Sequence, residues 1–131
     1  MDDRFEVTVG AGTLMSASGS AVRFPHRWTR GGVTVDAGFT GGHLFHLAAA
    51  GCVLNDVYRE AEALGIELAG VRVTAAGGFD TETWQSTGIG YAVEVSSDAP
   101  PGQLAHLLEV VDQVAEIPQA ILAGAAVRRI T

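Results

Sequence analysis

The chain has 131 residues, 47% of them hydrophobic and 18% charged. That suits one globular domain and excludes a disordered chain. It has no lysine and a net charge of −7, which argues against nucleic acid or an anionic membrane surface as partner. Its single cysteine excludes an intrachain disulfide and a cysteine-rich zinc site.

The opening MDDRFEVTV is acidic and lacks the basic and apolar regions of a signal peptide. No apolar run approaches the ~20 residues of a membrane span. The expectation is a single domain over residues 1–131, soluble and cytoplasmic, with no membrane partner.

Arg4–Val9 (RFEVTV) alternates and is rich in β-formers, so it reads as a strand. Gly10–Gly12 signals a turn, and TLMSAS (Thr13–Ser18) is expected to pair back as a second strand. Ala21–Phe24 starts a third, completing a meander. Pro25–Gly32 is an irregular loop carrying Arg27, Trp28 and Arg30, and Val33–Gly38 a short strand.

From about Gly42 to Leu64 the pattern becomes helical, with Thr40 as N-cap and Gly65 as the stop. Its first half, LFHLAAAGCVL, is apolar nearly all round, which predicts burial on most sides. The second half, NDVYREAEAL, has a polar face. Glu67–Phe79 and Thr87–Ser97 read as a β-hairpin. Pro100-Pro101 introduces an amphipathic helix with Leu104, Leu107, Leu108, Val111 and Val114 on one stripe. Pro118 is expected to interrupt it, QAILAG to add a helical turn, and Ala126–Ile130 to close the chain as a strand. The fold class is α+β.

Few motifs carry chemistry. Gly10 and Gly12 lack the third glycine and the following helix of a dinucleotide fingerprint. His43 and His46 share a helix face but have no third ligand in pattern, so no metal is expected. Cys52 is the candidate thiol, yet a free cysteine in an apolar helix is commonly a small hydrophobe. It lies too deep in the helix for the N-terminal dipole to reach. Asp56, four residues on, disfavours a thiolate. Arg59, roughly 10 Å further along the axis, lies beyond Asp56. An activating cation must therefore come from Arg23, Arg27 or Arg30, or from another subunit.

The stretch TGGHLFHLAAAGCVLNDVYREAEALGIELAGVRVTAAGGFD (Thr40–Asp80), the helix PPGQLAHLLEVVDQVAEIP (Pro100–Pro118) and the element order resemble the OsmC/Ohr family, the osmotically inducible and organic-hydroperoxide-resistance proteins. The resemblance implies an OsmC-like fold and an intertwined homodimer with both central helices buried together. It also implies a thiol peroxidase acting on organic hydroperoxides in oxidative-stress defence. In that chemistry a helix thiol attacks the peroxide, a second cysteine resolves the sulfenic acid, and an arginine and a glutamate assist.

Cys52 stands at the attacking position, and Arg27 or Arg30 in the preceding loop corresponds to the arginine. Ile117, before Pro118, occupies the place of the second cysteine, and Gly42 that of the glutamate. The expectation is a one-cysteine peroxidase, an oxidoreductase with Cys52 attacking, an external thiol as reductant and no cofactor. The alternative is a catalytically silent member that binds an apolar small molecule at the dimer interface, with Trp28, Phe39, Phe45 and Trp84 as lining residues. A purely structural dimer is a third reading.

Overall fold

The computed structural model describes residues 4–131. In chain order come β1 (Val7–Gly12), β2 (Val22–Phe24), β3 (Val33–Asp36), α1 (Gly41–Leu64), β4 (Gly70–Phe79), β5 (Ser86–Ser96), α2 (Pro101–Val114) and α3 (Glu116–Ala123). The strands form one antiparallel sheet in the order β2-β3-β1-β4-β5. The α+β class is as the sequence led one to expect, as is the order of long helix, β-hairpin and second helix.

α1 runs where its ends dictate. Thr40 is extended (φ −131°), and its hydroxyl accepts from the His43 amide at 3.2 Å, so one of the orphan amides of the first turn is satisfied. At the other end Gly65 turns left-handed (φ 70°). The amides of Gly65 and Ile66 then bond back to the carbonyls of Glu62 and Ala61, a closure that only glycine adopts without strain.

α1 and α2 cover one face of the sheet. Ala50, Val53, Leu54 and Val57 of α1 meet Val7 and Val9 of β1, Val71 and Val73 of β4, and Leu107 and Val111 of α2. All ten are at most 1% exposed, and each contributes on the order of 1–3 kcal/mol by leaving water. The opposite sheet face is polar: the hydroxyls of Thr8 and Thr74 meet at 3.2 Å, and Arg72 bonds Glu94 at 2.7 Å.

Several expectations are corrected. Thr13–Ser18 is not a strand. β1 already pairs with β3 on one edge and β4 on the other, so no edge is left for a hairpin partner. The chain instead turns, with Leu14 bonding back to Ala11 and Met15 to Gly12, and the Ser16 amide is then taken by the Thr34 hydroxyl. The N-terminal strands are thus antiparallel but not a simple meander, since β2 lies outside β3.

Residues 126–130 form no strand either; after Gly124 the chain is irregular and exposed, pairing with neither sheet edge within the protomer. The break between α2 and α3 falls at Ala115, and Pro118 sits inside α3. Pro118 lies in the first turn, where a missing N–H costs nothing. Its ring forbids α2 from running through, which is why the break lies upstream. Lastly, the first half of α1 is not buried on most sides within one protomer. Leu44 and Ala48 are exposed and Gly51 half-buried, a stripe along one side of the helix.

Candidate functional site

Cys52 lies near the middle of α1, half-buried. Helical spacing places Asp56 one turn on, and the thiol sulphur lies 3.7 Å from Asp56 Oδ2. α3 supplies the other wall. Glu116 Oε2 is 3.5 Å from the sulphur, and the Ile117 amide donates to it at 3.4 Å. Position 117, expected to face Cys52 as the place of the family's second cysteine, therefore touches it through the backbone.

Arg59 closes the group. Its Nη1 lies 2.6 Å from Glu116 Oε1 and 3.2 Å from Asp56 Oδ1, and its Nε bonds Glu60 at 3.0 Å. The axial separation expected between Arg59 and Cys52 overlooked the reach of the side chain, which folds back over the turn. Glu116 and Arg59 are the members of the group that sequence reasoning missed. The available signal was adjacency, because Glu116 precedes the residue expected to face the thiol.

The electrostatics follow from this geometry. Burial pushes the Cys52 thiol up to about 11; the Ile117 amide opposes the shift, while Asp56 and Glu116 add to it. Asp56 is buried and rises to about 6, by desolvation first and by its hydrogen bond to Glu116 second, with Arg59 opposing. Glu116 is held down to about 2, chiefly by its bond to Arg59. At neutral pH the resting site holds a protonated thiol facing two carboxylates clamped by a guanidinium.

Sγ, Oδ2 and Oε2 could in principle share one cation, since ligand atoms of the three residues lie within 4.8 Å of one another. Arg59 already supplies the cluster's positive charge through the outer oxygens.

Beside the group lies a cleft of about 420 Å³ between β5 and α3, lined among others by Ala49, Ile89, Tyr91, Pro118 and Leu122. Ala49 is one turn before Cys52, and Pro118 follows Ile117, but Cys52 itself is not among the lining residues. Its walls are mainly apolar. The Tyr91 hydroxyl donates to Asp112 at 2.7 Å within that wall.

The three arginines expected to activate the thiol lie elsewhere in the protomer. The Arg27 guanidinium stands 5.5 Å from the centre of the Trp28 ring. Both residues line a cleft of about 370 Å³ between the β2–β3 region and the Leu47–Gly51 side of α1. Arg23 and Arg30 line a separate shallow cleft. None of the three is among the groups that bond or shift Cys52 within the protomer.

The histidines are engaged singly: His43 Nδ1 meets the Thr40 hydroxyl at 2.7 Å, and His46 Nδ1 the Gly42 carbonyl at 2.6 Å. The four aromatic residues expected to line an apolar pocket do not converge in one protomer. Phe45 packs on His46 and Phe79, Phe39 and Trp84 are exposed, and Trp28 lies against the core.

The family model described as OsmC-like protein matches residues 34–128, which spans α1, the hairpin and both later helices. The chain belongs to the OsmC-like family. The fold of this OsmC-like chain is similar to the crystal structure of an OsmC-like hydroperoxide resistance protein from Jannaschia sp. CCS1. The TM-score is 0.52 at 15% identity, covering 95% of this chain and 90% of that one. At such identity the likeness speaks for the fold. No curated protein matches the chain. Among the described residues, no helix of this OsmC-like domain is long and apolar enough to cross a membrane.

Proposed function

We propose that this OsmC-like protein reduces organic hydroperoxides through Cys52, as a one-cysteine thiol peroxidase working as a homodimer with Arg27 or Arg30 of a second copy as helper. The observation that carries this reading is the contact between Cys52 Sγ and the backbone of position 117 beside an apolar cleft. A thiol and a hydrogen-bond donor to it meet, and an apolar cleft is lined by Ala49 and Pro118, their near neighbours in the chain. The hydroperoxide-resistance name of the structural neighbour agrees with it.

In the proposed reaction the sulphur of Cys52 attacks one peroxide oxygen. An S–O bond forms, the O–O bond breaks, and the departing alkoxide takes a proton to leave as an alcohol, so thiol plus hydroperoxide gives sulfenic acid plus alcohol. Ile117 cannot resolve the sulfenic acid. An external thiol condenses with it, releasing water, and a second thiol equivalent restores Cys52.

The raised pKa of Cys52 sets the terms. A thiol near 11 is almost wholly protonated at pH 7, so turnover requires a cation beyond Arg59, which is taken up by Asp56 and Glu116. The stripe of exposed Leu44 and Ala48 and half-buried Gly51 offers a seat for a second α1, and the Pro25–Gly32 loop of that copy brings the arginines. The test is hydroperoxide consumption by pure protein with a small thiol reductant. Cys52→Ser should abolish it, and methionine at the responsible arginine should slow it by more than tenfold. Equal consumption by wild type and Cys52→Ser rejects the reading.

The same raised pKa favours a second reading, a silent member that binds an apolar small molecule. Co-purification of such a molecule, together with a thiol inert to peroxide, would select it.

A further inference from the structure

We propose that the Arg59–Glu116 ion pair is a positioning device that sets the reactivity of Cys52, with Glu116 holding the hydrogen on the sulphur and Arg59 limiting that hold. The inference concerns the thiol itself and stands whether or not a hydroperoxide is its reactant.

The geometry divides the four carboxylate oxygens into two sets. Arg59 Nη1 takes the outer pair, Glu116 Oε1 at 2.6 Å and Asp56 Oδ1 at 3.2 Å. The inner pair, Glu116 Oε2 and Asp56 Oδ2, is thereby aimed at the sulphur from 3.5 and 3.7 Å. One thiol hydrogen thus faces two acceptors. Ionising the thiol would bring a third negative charge into a group whose ligand atoms lie within 4.8 Å of one another, with the guanidinium on its far side.

The charged groups acting on the sulphur come from α1 (Asp56) and α3 (Glu116), and the Ile117 amide donates to it. From α2, Asp112 is engaged by Tyr91 of β5.

Removing Glu116 or Arg59 should therefore have opposite effects. Without Glu116, one acceptor and one negative charge leave the sulphur while Arg59 stays paired to Asp56. Without Arg59, both carboxylates face the thiol unneutralised. Both side chains reach the surface, Glu116 exposed and Arg59 half-exposed. Steric shielding by α3 makes a different forecast: loosening its contact from either side would uncover Cys52 and speed its reactions at every pH.

The experiment is alkylation of the folded full-length chain by iodoacetamide across pH 7–11, for wild type, Glu116→Gln and Arg59→Met, with Cys52→Ser as blank. The proposal expects Glu116→Gln to move the midpoint of the profile down and raise the rate at pH 8 on the order of tenfold, the value of one pKa unit. It expects Arg59→Met to move the midpoint up and slow alkylation. It is overturned if both variants shift in the same direction, or if rates change without movement of the midpoint. Urea unfolding of each variant verifies that the folded state is the one measured.

Discussion

The Ile117 amide donates a hydrogen bond to the Cys52 sulphur at 3.4 Å, across 65 positions of sequence. It ties the middle of α1 to the first turn of α3 and makes position 117 the residue opposite the thiol. A cysteine introduced there tests whether the two side chains also converge, since bridged residues need Cα atoms no more than ~7 Å apart. Ile117→Cys should lose two mass units on mild oxidation and block Cys52 from alkylation. Retention of two titratable thiols after oxidation would show that the side-chain directions do not converge.

The stripe on α1 separates dimer from monomer. A Cβ at Gly51 meets nothing within 4 Å in the protomer. In a monomer Gly51→Leu should thus be neutral or stabilising by roughly 0.5–1 kcal/mol, from helix propensity. In a dimer packed on this stripe, overfilling it should cost ~1–3 kcal/mol. Light scattering should give twice the 13.6 kDa chain mass for wild type and half of that particle for Gly51→Leu or Ala48→Leu. A wild-type monomer at micromolar concentration contradicts the dimer.

Asp56 gives a pH dependence of definite sign. Its folded pKa is raised to about 6 from an ordinary 3.8, so the folded state binds the proton more tightly than the unfolded state. The stability it contributes is complete below about pH 4 and lost as pH rises through 6. Asparagine mimics the protonated form, so the stability of Asp56→Asn relative to wild type should grow between pH 4 and pH 7. Urea midpoints at pH 4.5 and 7.5 measure it. A constant difference would mean that Arg59 fully compensates the charge.

Gly77 is fixed by close approach rather than by turn geometry. A Cβ there would stand 2.2 Å from the Gly88 carbonyl oxygen and 2.6 Å from His46 Nε2. Neither a paired strand nor a fully buried ring can yield cheaply, so Gly77→Ala should lower unfolding stability by at least ~1–3 kcal/mol. Adding His46→Ala relieves only the second contact and should restore little. An unchanged urea midpoint for Gly77→Ala would contradict the close approach of Gly88 and His46 to this position.

These relationships also show what was readable in advance. The bounds of α1 were, because a threonine cap and a left-handed glycine act through bonds three to five residues apart. So were the β-hairpin and the stripe of α2 as far as Val111, whose signals are also local; Val114, expected on that stripe, is exposed. Thr13–Ser18 was not: a β-like segment becomes a strand only where an edge is vacant, and β1 has none; residues 126–130 pair with neither outer strand, β2 or β5, and nothing in the protomer explains it. The thiol and its neighbour Asp56 could be placed by helical spacing. The Arg59–Glu116 pair, 57 positions apart, depends on how α3 docks, which no local pattern encodes.

Whether Cys52 is a reacting thiol is tested by intact mass after treatment of the folded protein with one equivalent of an organic hydroperoxide. A peroxidatic Cys52 gains one oxygen, gains a second with excess peroxide as the sulfinic acid forms, and gives a mixed disulfide when a small thiol is supplied early. An unchanged mass after prolonged exposure to millimolar hydroperoxide, with Cys52 still titratable once the chain is unfolded, contradicts it.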